Sequence, residues 1–305
     1  MKRNIVLIGG GHGLSNIVSG FKDEDINLSV IVSSTDDGGH TGKLRDEFES
    51  VAVGDLRMIL NEFIQEGSSL KDIFNYRFES LHGTSNVSLG NLVIASLWKK
   101  YMDIDEVIKY FTSKEKIKAS IFLSSNNPLT LCAECEHGEI IKCERVIGVS
   151  NQKIKRLFVD GETVCNSRMI ESIKNADKII LCPGSLYTSI GSVLCIDKIK
   201  QAIKDSEGKL IYICNVMSQD GETRGYSVKK HVETLEDIVE RKIDSILINS
   251  KKIDEPILEK YKMENSEVVV CDDNDERYVF YDFIEIKGDK VRHNSKMVKK
   301  IILSQ

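Results

Sequence analysis

Asn4-Ile5-Val6-Leu7-Ile8-Gly9-Gly10-Gly11-His12-Gly13-Leu14-Ser15 is an unbroken apolar run that passes straight into glycines. Four consecutive apolar residues, Ile5 to Ile8, predict a strand buried on both faces, which is the habit of parallel rather than antiparallel sheets. The glycines that follow let main-chain N–H groups come close to an oxyanion, and a helix opening there adds a partial positive charge at its amino end. Gly9, Gly10, Gly11, His12 and Gly13 are therefore candidate phosphate-binding residues. The strict G-x-G-x-x-G dinucleotide pattern fails, because Leu14 and Asn16 stand where glycine is required, and the P-loop pattern lacks its Gly-Lys-Ser/Thr. A tight turn required only for packing is the competing reading.

Outward from this junction, short apolar runs predict further strands near Leu28 to Ser33, Lys178 to Cys182, Lys209 to Asn215, Ile243 to Asn249 and Glu267 to Cys271. Helical patterns such as Val193 to Lys204 and Lys229 to Arg241 lie between them, so the chain predicts right-handed βαβ units. The expected fold is α/β, Rossmann-like and doubly wound, with a mostly parallel sheet. Residues 55–160 break that rhythm. Asp55 and Asn91 look like helix caps, whereas Lys118 to Ser124, Thr130 to Glu136, Glu139 to Arg145 and Ile154 to Val159 look like short strands, with a hairpin turn at Glu136-His137-Gly138-Glu139. The expectation is one domain over residues 1–305 carrying an inserted helical and antiparallel layer.

In doubly wound sheets ligands bind beyond the carboxyl ends of strands, so the loops leaving strands are the places to search. After the second strand comes Ser33-Ser34-Thr35-Asp36-Asp37-Gly38-Gly39-His40-Thr41-Gly42. Asp36 and Asp37 could accept sugar hydroxyls or share a magnesium ion with ligand phosphates, although Asp-Gly pairs also make plain turns. A third junction, Cys182-Pro183-Gly184-Ser185-Leu186-Tyr187-Thr188-Ser189, offers Gly184 for close approach and the hydroxyls of Ser185 and Thr188 as phosphate donors. Asn215 leaves the end of the following strand. His12 and His40 fall in glycine loops and could touch a ligand, whereas His82, His137 and His231 have no partner at a metal or triad spacing. No G-x-S-x-G elbow is present.

A net charge of −5 disfavours broad nucleic-acid binding, which needs clustered Lys and Arg. The first strand begins within four residues of Met1, leaving no room for a leader, and no apolar run reaches the roughly 18 residues that insert in a bilayer. A cytoplasmic chain without membrane insertion is expected. Eight scattered cysteines read as reduced core thiols, and Cys132-x-x-Cys135, in a strand with no second pair, does not read as a metal motif.

Taken in order, GGGHGLS, TDDGGHTGKLR, VGDLR, GNL, CPGSLYTSI, NVMSQDGETRGY and VRH resemble the bacterial gluconeogenesis factors of the YvcK/GlmR type, in the CofD-like superfamily. The likeness runs from Ile5 to about Val298. It implies a Rossmann-like protein that binds a UDP-sugar, notably UDP-N-acetylglucosamine, and links carbon metabolism to cell-wall precursor supply and cell shape. It also implies that Tyr261 and Arg292 serve that site, with Asn91 in the Gly-Asn-Leu segment, and that a regulatory protein partner and a homo-oligomer are to be sought. The enzyme branch of the same superfamily implies a phospholactate transfer assisted by magnesium. NAD(P) is the third ligand such a fold admits. The chain departs from the usual family pattern at His12, His40-Thr41, Val51-Ala52-Val53 and Asn86-Val87-Ser88-Leu89.

Overall fold

The apolar runs become strands of a single parallel sheet in the computed structural model, which describes residues 2–79 and 86–305. They are β1 (Asn4–Gly9), β2 (Asn27–Val32), β3 (Ser120–Leu123), β4 (Lys178–Leu181), β5 (Lys209–Ile213), β6 (Ser245–Asn249) and β7 (Tyr278–Tyr281). Their spatial order is β7-β6-β5-β4-β1-β2-β3, and every neighbouring pair is parallel. The order reverses between β1 and β4, where the chain has grown outward in both directions. Loops leaving those two strands diverge to opposite faces and leave a crevice between them.

Alternation along β1 builds both faces of the core. Ile5 and Leu7 pack on one side with Leu14, Ile17, Val18 and Phe21 of α1 (Gly11–Phe21), and Val6 and Ile8 face the other side with Ile199, Ile203 and Leu235. Each of these side chains is almost wholly buried, a gain of about 1.5–3 kcal/mol apiece by area transfer. Helices α2 (Gly39–Phe48) and α3 (Gly54–Phe63) follow β2, and α3 packs against α1.

The doubly wound parallel sheet agrees with the sequence reading, as does the Gly138 hairpin turn of the small antiparallel sheet Thr130–Cys135, Ile140–Lys142 and Ile154–Asp160. Three local readings are corrected. Ser120–Leu123 is the edge strand β3 of the main sheet, paired parallel with β2, and not part of the antiparallel layer. Glu267 to Cys271 forms no strand; it contributes one antiparallel bridge, Met217 to Val268, while the seventh strand lies further on at Tyr278–Tyr281. Neither Asp55 nor Asn91 is a cap, since Val53 and Ser88 occupy those positions and both polar residues sit inside their helices. His82 and the side chain of His40 lie outside the described residues. No helix among the described residues is long and apolar enough to cross a membrane.

Candidate functional site

The turn from β1 into α1 and the exit of β4 are pressed together at the point where strand order reverses. A Cβ on Gly13 would stand 1.8 Å from the carbonyl oxygen of Pro183, so only glycine permits this approach. Gly11 has the left-handed φ of +57°, and its N–H donates to Asp55 Oδ2 at 2.7 Å. Helix α1 thus begins against a carboxyl group reaching across from α3.

A cleft of about 450 Å³ opens here. Gly10, Gly11, His12 and Gly13 form one wall, Gly184, Ser185 and Ser189 the second, and Asn215, Tyr261 and Arg292 close it from the β5 side and from the hairpin strand Lys290–His293. Asn215 clamps the second loop at Gly184 through both ends of its amide: its Oδ1 accepts from Gly184 N at 3.1 Å and its Nδ2 donates to Gly184 O at 2.7 Å. Ser185 Oγ donates to Gln219 at 2.7 Å. The Tyr261 hydroxyl accepts from Val291 N at 2.9 Å and so fixes the strand that presents Arg292.

Five of the candidate residues lie outside this cleft. Gly9 is buried at the end of β1. Thr188 is turned inward, where its hydroxyl donates to Glu222 Oε1 at 2.5 Å while Glu222 Oε2 accepts from Tyr187 N at 2.9 Å. Glu222 is a buried brace of the β4 loop that the sequence offered only as part of Gln219-Asp220-Gly221-Glu222-Thr223. Asn91 is buried within the helix Leu89–Tyr101. Asp36 and Asp37 lie in the loop between β2 and α2, with Gly38 N donating to Asp36 Oδ1 and Arg145 N to Asp37 Oδ1, each at 2.9 Å.

Asp36 belongs to a set of acids with Asp55 and Glu144. Burial first raises all three carboxyls, and repulsion adds to it, from Asp37 on Asp36, from Asp36 on Asp55, and from Asp36 and Asp55 on Glu144; Asp55 is pushed up to about 7, and Glu144, bonded by Thr35 Oγ1 at 2.9 Å, lies well above its ordinary range. Such oxygen donors suit magnesium, and a divalent ion would relieve their repulsion. Among the described residues no three of them converge to hold an ion.

Asp55 was legible as a helix-start residue but not as the partner of Gly11, because nothing local signals a contact across 44 positions. Its raised carboxyl has a consequence for stability. The folded state holds a proton that the unfolded chain releases near its ordinary value of 3.8, so stability falls as pH rises from about 4 through about 7. Asp55→Asn, which keeps an acceptor for Gly11 N, should remove that fall. Chemical denaturation at pH 5 and pH 8 should show the wild type losing about 2–3 kcal/mol more than the variant, since about two pH units of the shift lie between those values. An equal loss in both would place the titration elsewhere.

The family model described as 2-phospho-L-lactate transferase CofD matches residues 5–285. A gluconeogenesis factor of Halalkalibacterium halodurans is 35% identical over 309 residues, covering 99% of this chain and 96% of that protein. The gluconeogenesis factor of Bacillus subtilis is 33% identical, covering 99% and 98%. A solved structure from Bacillus halodurans, described as a member of the UPF0052 family, superposes with a TM-score of 0.93 at 34% identity over 99% of this chain and all of that one. Matched across nearly its whole length by this family model and by these relatives, the chain belongs to the gluconeogenesis factors of the CofD family.

Proposed function

We propose that this gluconeogenesis factor binds a nucleotide sugar of the UDP class, such as UDP-N-acetylglucosamine, at the β1–β4 crevice and acts as a ligand-sensing regulator that links carbon metabolism to cell-wall precursor supply and cell shape. The observation that carries the reading is the convergence of Arg292 with two glycine-bearing loops on one cleft at the reversal of strand order. A guanidinium can pair with a diphosphate through two parallel hydrogen bonds, and the main-chain N–H groups of His12 and Gly13 lie in the first turn of α1, where the helix favours negative charge. A regulator also needs a surface that changes with occupancy. Tyr261 supplies a route: its hydroxyl holds the hairpin strand from outside, so ligand contact at Arg292 is transmitted to the helix Glu255–Met263.

The alternative is a phospholactate-type transferase that uses a nucleotide-activated substrate and magnesium, a reading supported by the match to the CofD family model. The two readings separate on the fate of the ligand. Incubation with UDP-N-acetylglucosamine, with and without magnesium, followed by chromatography of the recovered nucleotide, should return it intact. Release of UDP or UMP at a rate that scales with protein would favour the transferase. The regulator is expected to work without membrane insertion, in the cytoplasm, with a protein partner that reads the occupied state.

A further inference from the structure

A second cavity, of about 750 Å³, lies apart from the crevice and shares no lining residue with it. One wall is the strand Ile154–Asp160 of the small antiparallel sheet, and every residue from Lys153 to Val159 lines it. Successive side chains of a strand point to opposite faces, so a cavity that touches all of them runs along the strand's edge rather than over one face. The sheet order agrees. Thr130–Cys135 lies between Ile154–Asp160 and Ile140–Lys142, which leaves the other edge of Ile154–Asp160 free. Among the described residues, Ile154–Asp160 makes no main-chain hydrogen bond outside that ladder.

The facing wall is the helix Val228–Val239, which presents Lys230, Thr234, Asp237 and Ile238 at the spacing of one helix face. A helix that merely covered the edge would pack along it. Here Leu157 and Ile238 meet only low in the groove, where their Cδ1 atoms lie 2.7 and 3.3 Å from the place of a Cβ on Gly191, and the cavity opens beyond them. The pairing with Thr130–Cys135 is regular from Arg156 to Asp160 and shifts register at Glu134 and Cys135. That irregularity, with Lys153 and Lys155 beside it, discourages further pairing at the start of the strand and leaves Arg156–Asp160 as the usable edge. Five residues at about 3.3 Å each make roughly 16 Å of unpaired backbone.

Charge selects the occupant. The strand wall carries Lys153, Lys155 and Arg156 and no acid as far as Val159. Lys155 and Arg156 share the single carboxylate of Glu134, at 2.6 and 3.2 Å, so this wall holds more positive charge than it neutralises. Asp197, Asp237 and Glu240 belong to the helical side of the lining, where Lys200 pairs with Glu240 at 2.8 Å and the Lys230 ammonium stands 6.0 Å from the centre of the Tyr226 ring. A strand laid against the edge has the basic residues as its cross-strand neighbours, and opposite charges are favoured there.

We propose that this groove docks an extended, acidic peptide segment of a partner protein, which adds as a strand along Arg156–Asp160 and sets carboxylates against Lys155 and Arg156. Main-chain hydrogen bonds to the free edge supply the affinity, and the groove between strand and helix supplies the selectivity. The site is independent of the nucleotide-sugar reading, since the two cavities share no residue.

NMR titration of the full chain with blocked peptides of about six residues tests the site, the length being that of an ordinary strand. The series alternates glutamate with valine, leucine or tyrosine; a matched series carries lysine for glutamate, and the tightest glutamate peptide is also N-methylated at alternate residues in either phase. Saturable shifts of the Arg156–Asp160 amides by the glutamate series are expected. One methylation phase should weaken binding at least about tenfold and the other should spare it, because only alternate N–H groups of an added strand face its neighbour. Lys155→Ala and Lys230→Ala, both exposed and therefore compatible with the fold, should each cost up to about fivefold. Absence of shifts at these amides with every glutamate peptide at millimolar concentration would overturn the docking site. Equal affinity of the two methylated peptides would overturn strand addition, and equal affinity of the glutamate and lysine series would overturn the acidic partner.

Discussion

Gly13→Ala is expected to lose measurable nucleotide binding and to melt roughly 5 °C below wild type. The added methyl would sit 1.8 Å from Pro183 O and 2.6 Å from Pro183 C, and both are backbone atoms tied to β4. Relief requires the β1–α1 turn and the β4 loop to separate, which costs about 1–3 kcal/mol in a packed interior and widens the crevice that holds the ligand. Gly11→Ala supplies the contrast. Nothing lies within 4 Å of a Cβ there, so only the left-handed backbone at φ +57° resists, at a cost of about 1 kcal/mol, and binding should persist in weakened form. Calorimetry and thermal melts on the two variants check this ranking; equal losses would mean that the close approach at Pro183 does not shape the site.

Arg292→Ala should weaken nucleotide binding roughly ten- to a hundredfold through loss of a charge-assisted pair worth about 1.5–3 kcal/mol, with little change in melting temperature. The structural reason for that separation is local. Arg292 is half-buried on the edge of the cleft and makes no ion pair among the described residues, so the fold spends nothing on it. Tyr261→Phe should act through the same arginine. Without its hydroxyl the Val291 N–H loses an acceptor, the hairpin strand loosens, and binding should fall less than in Arg292→Ala. An unchanged dissociation constant in Arg292→Ala would remove that residue from the site.

The strands at the centre of the sheet were legible because burial on both faces leaves a continuous apolar run, as in Ile5-Val6-Leu7-Ile8 and Ile179-Ile180-Leu181. The same logic misled at the edge. Val268-Val269-Val270 is more β-branched than Tyr278-Val279-Phe280-Tyr281, yet β7 is the strand, and its half-exposed residues carry no buried run to announce it. Lys118 to Ser124 was recognisable as a strand but not as a member of the main sheet, since periodicity says nothing about the pairing partner. At the site, the glycines of both loops and Arg292 could be found from local chemistry and from family resemblance. Asp55 and Glu222 could not, because each acts through a contact made only by tertiary packing: Asp55 on Gly11, and Glu222 on Tyr187 and Thr188.

Thr188 shows the limit of composition most plainly. A hydroxyl two positions inside a strand-to-helix turn has the chemistry of a phosphate donor, yet it points into the protein and satisfies a buried carboxyl. The neighbouring Ser185 lines the cleft instead. The π-helical turn Leu186–Gly191 accounts for the difference, because its wider winding moves side chains off the face that an α-helix would present.

The most direct test of the nucleotide-sugar reading is a calorimetric titration of the full chain with UDP-N-acetylglucosamine, run beside NAD, NADP and a guanosine nucleotide, with magnesium as a variable. Saturable one-to-one binding of the UDP-sugar, selective over the other nucleotides and weakened in Arg292→Ala, is the predicted result. Tighter binding of the guanosine nucleotide, or of NAD(P), with no heat from the UDP-sugar, would contradict it.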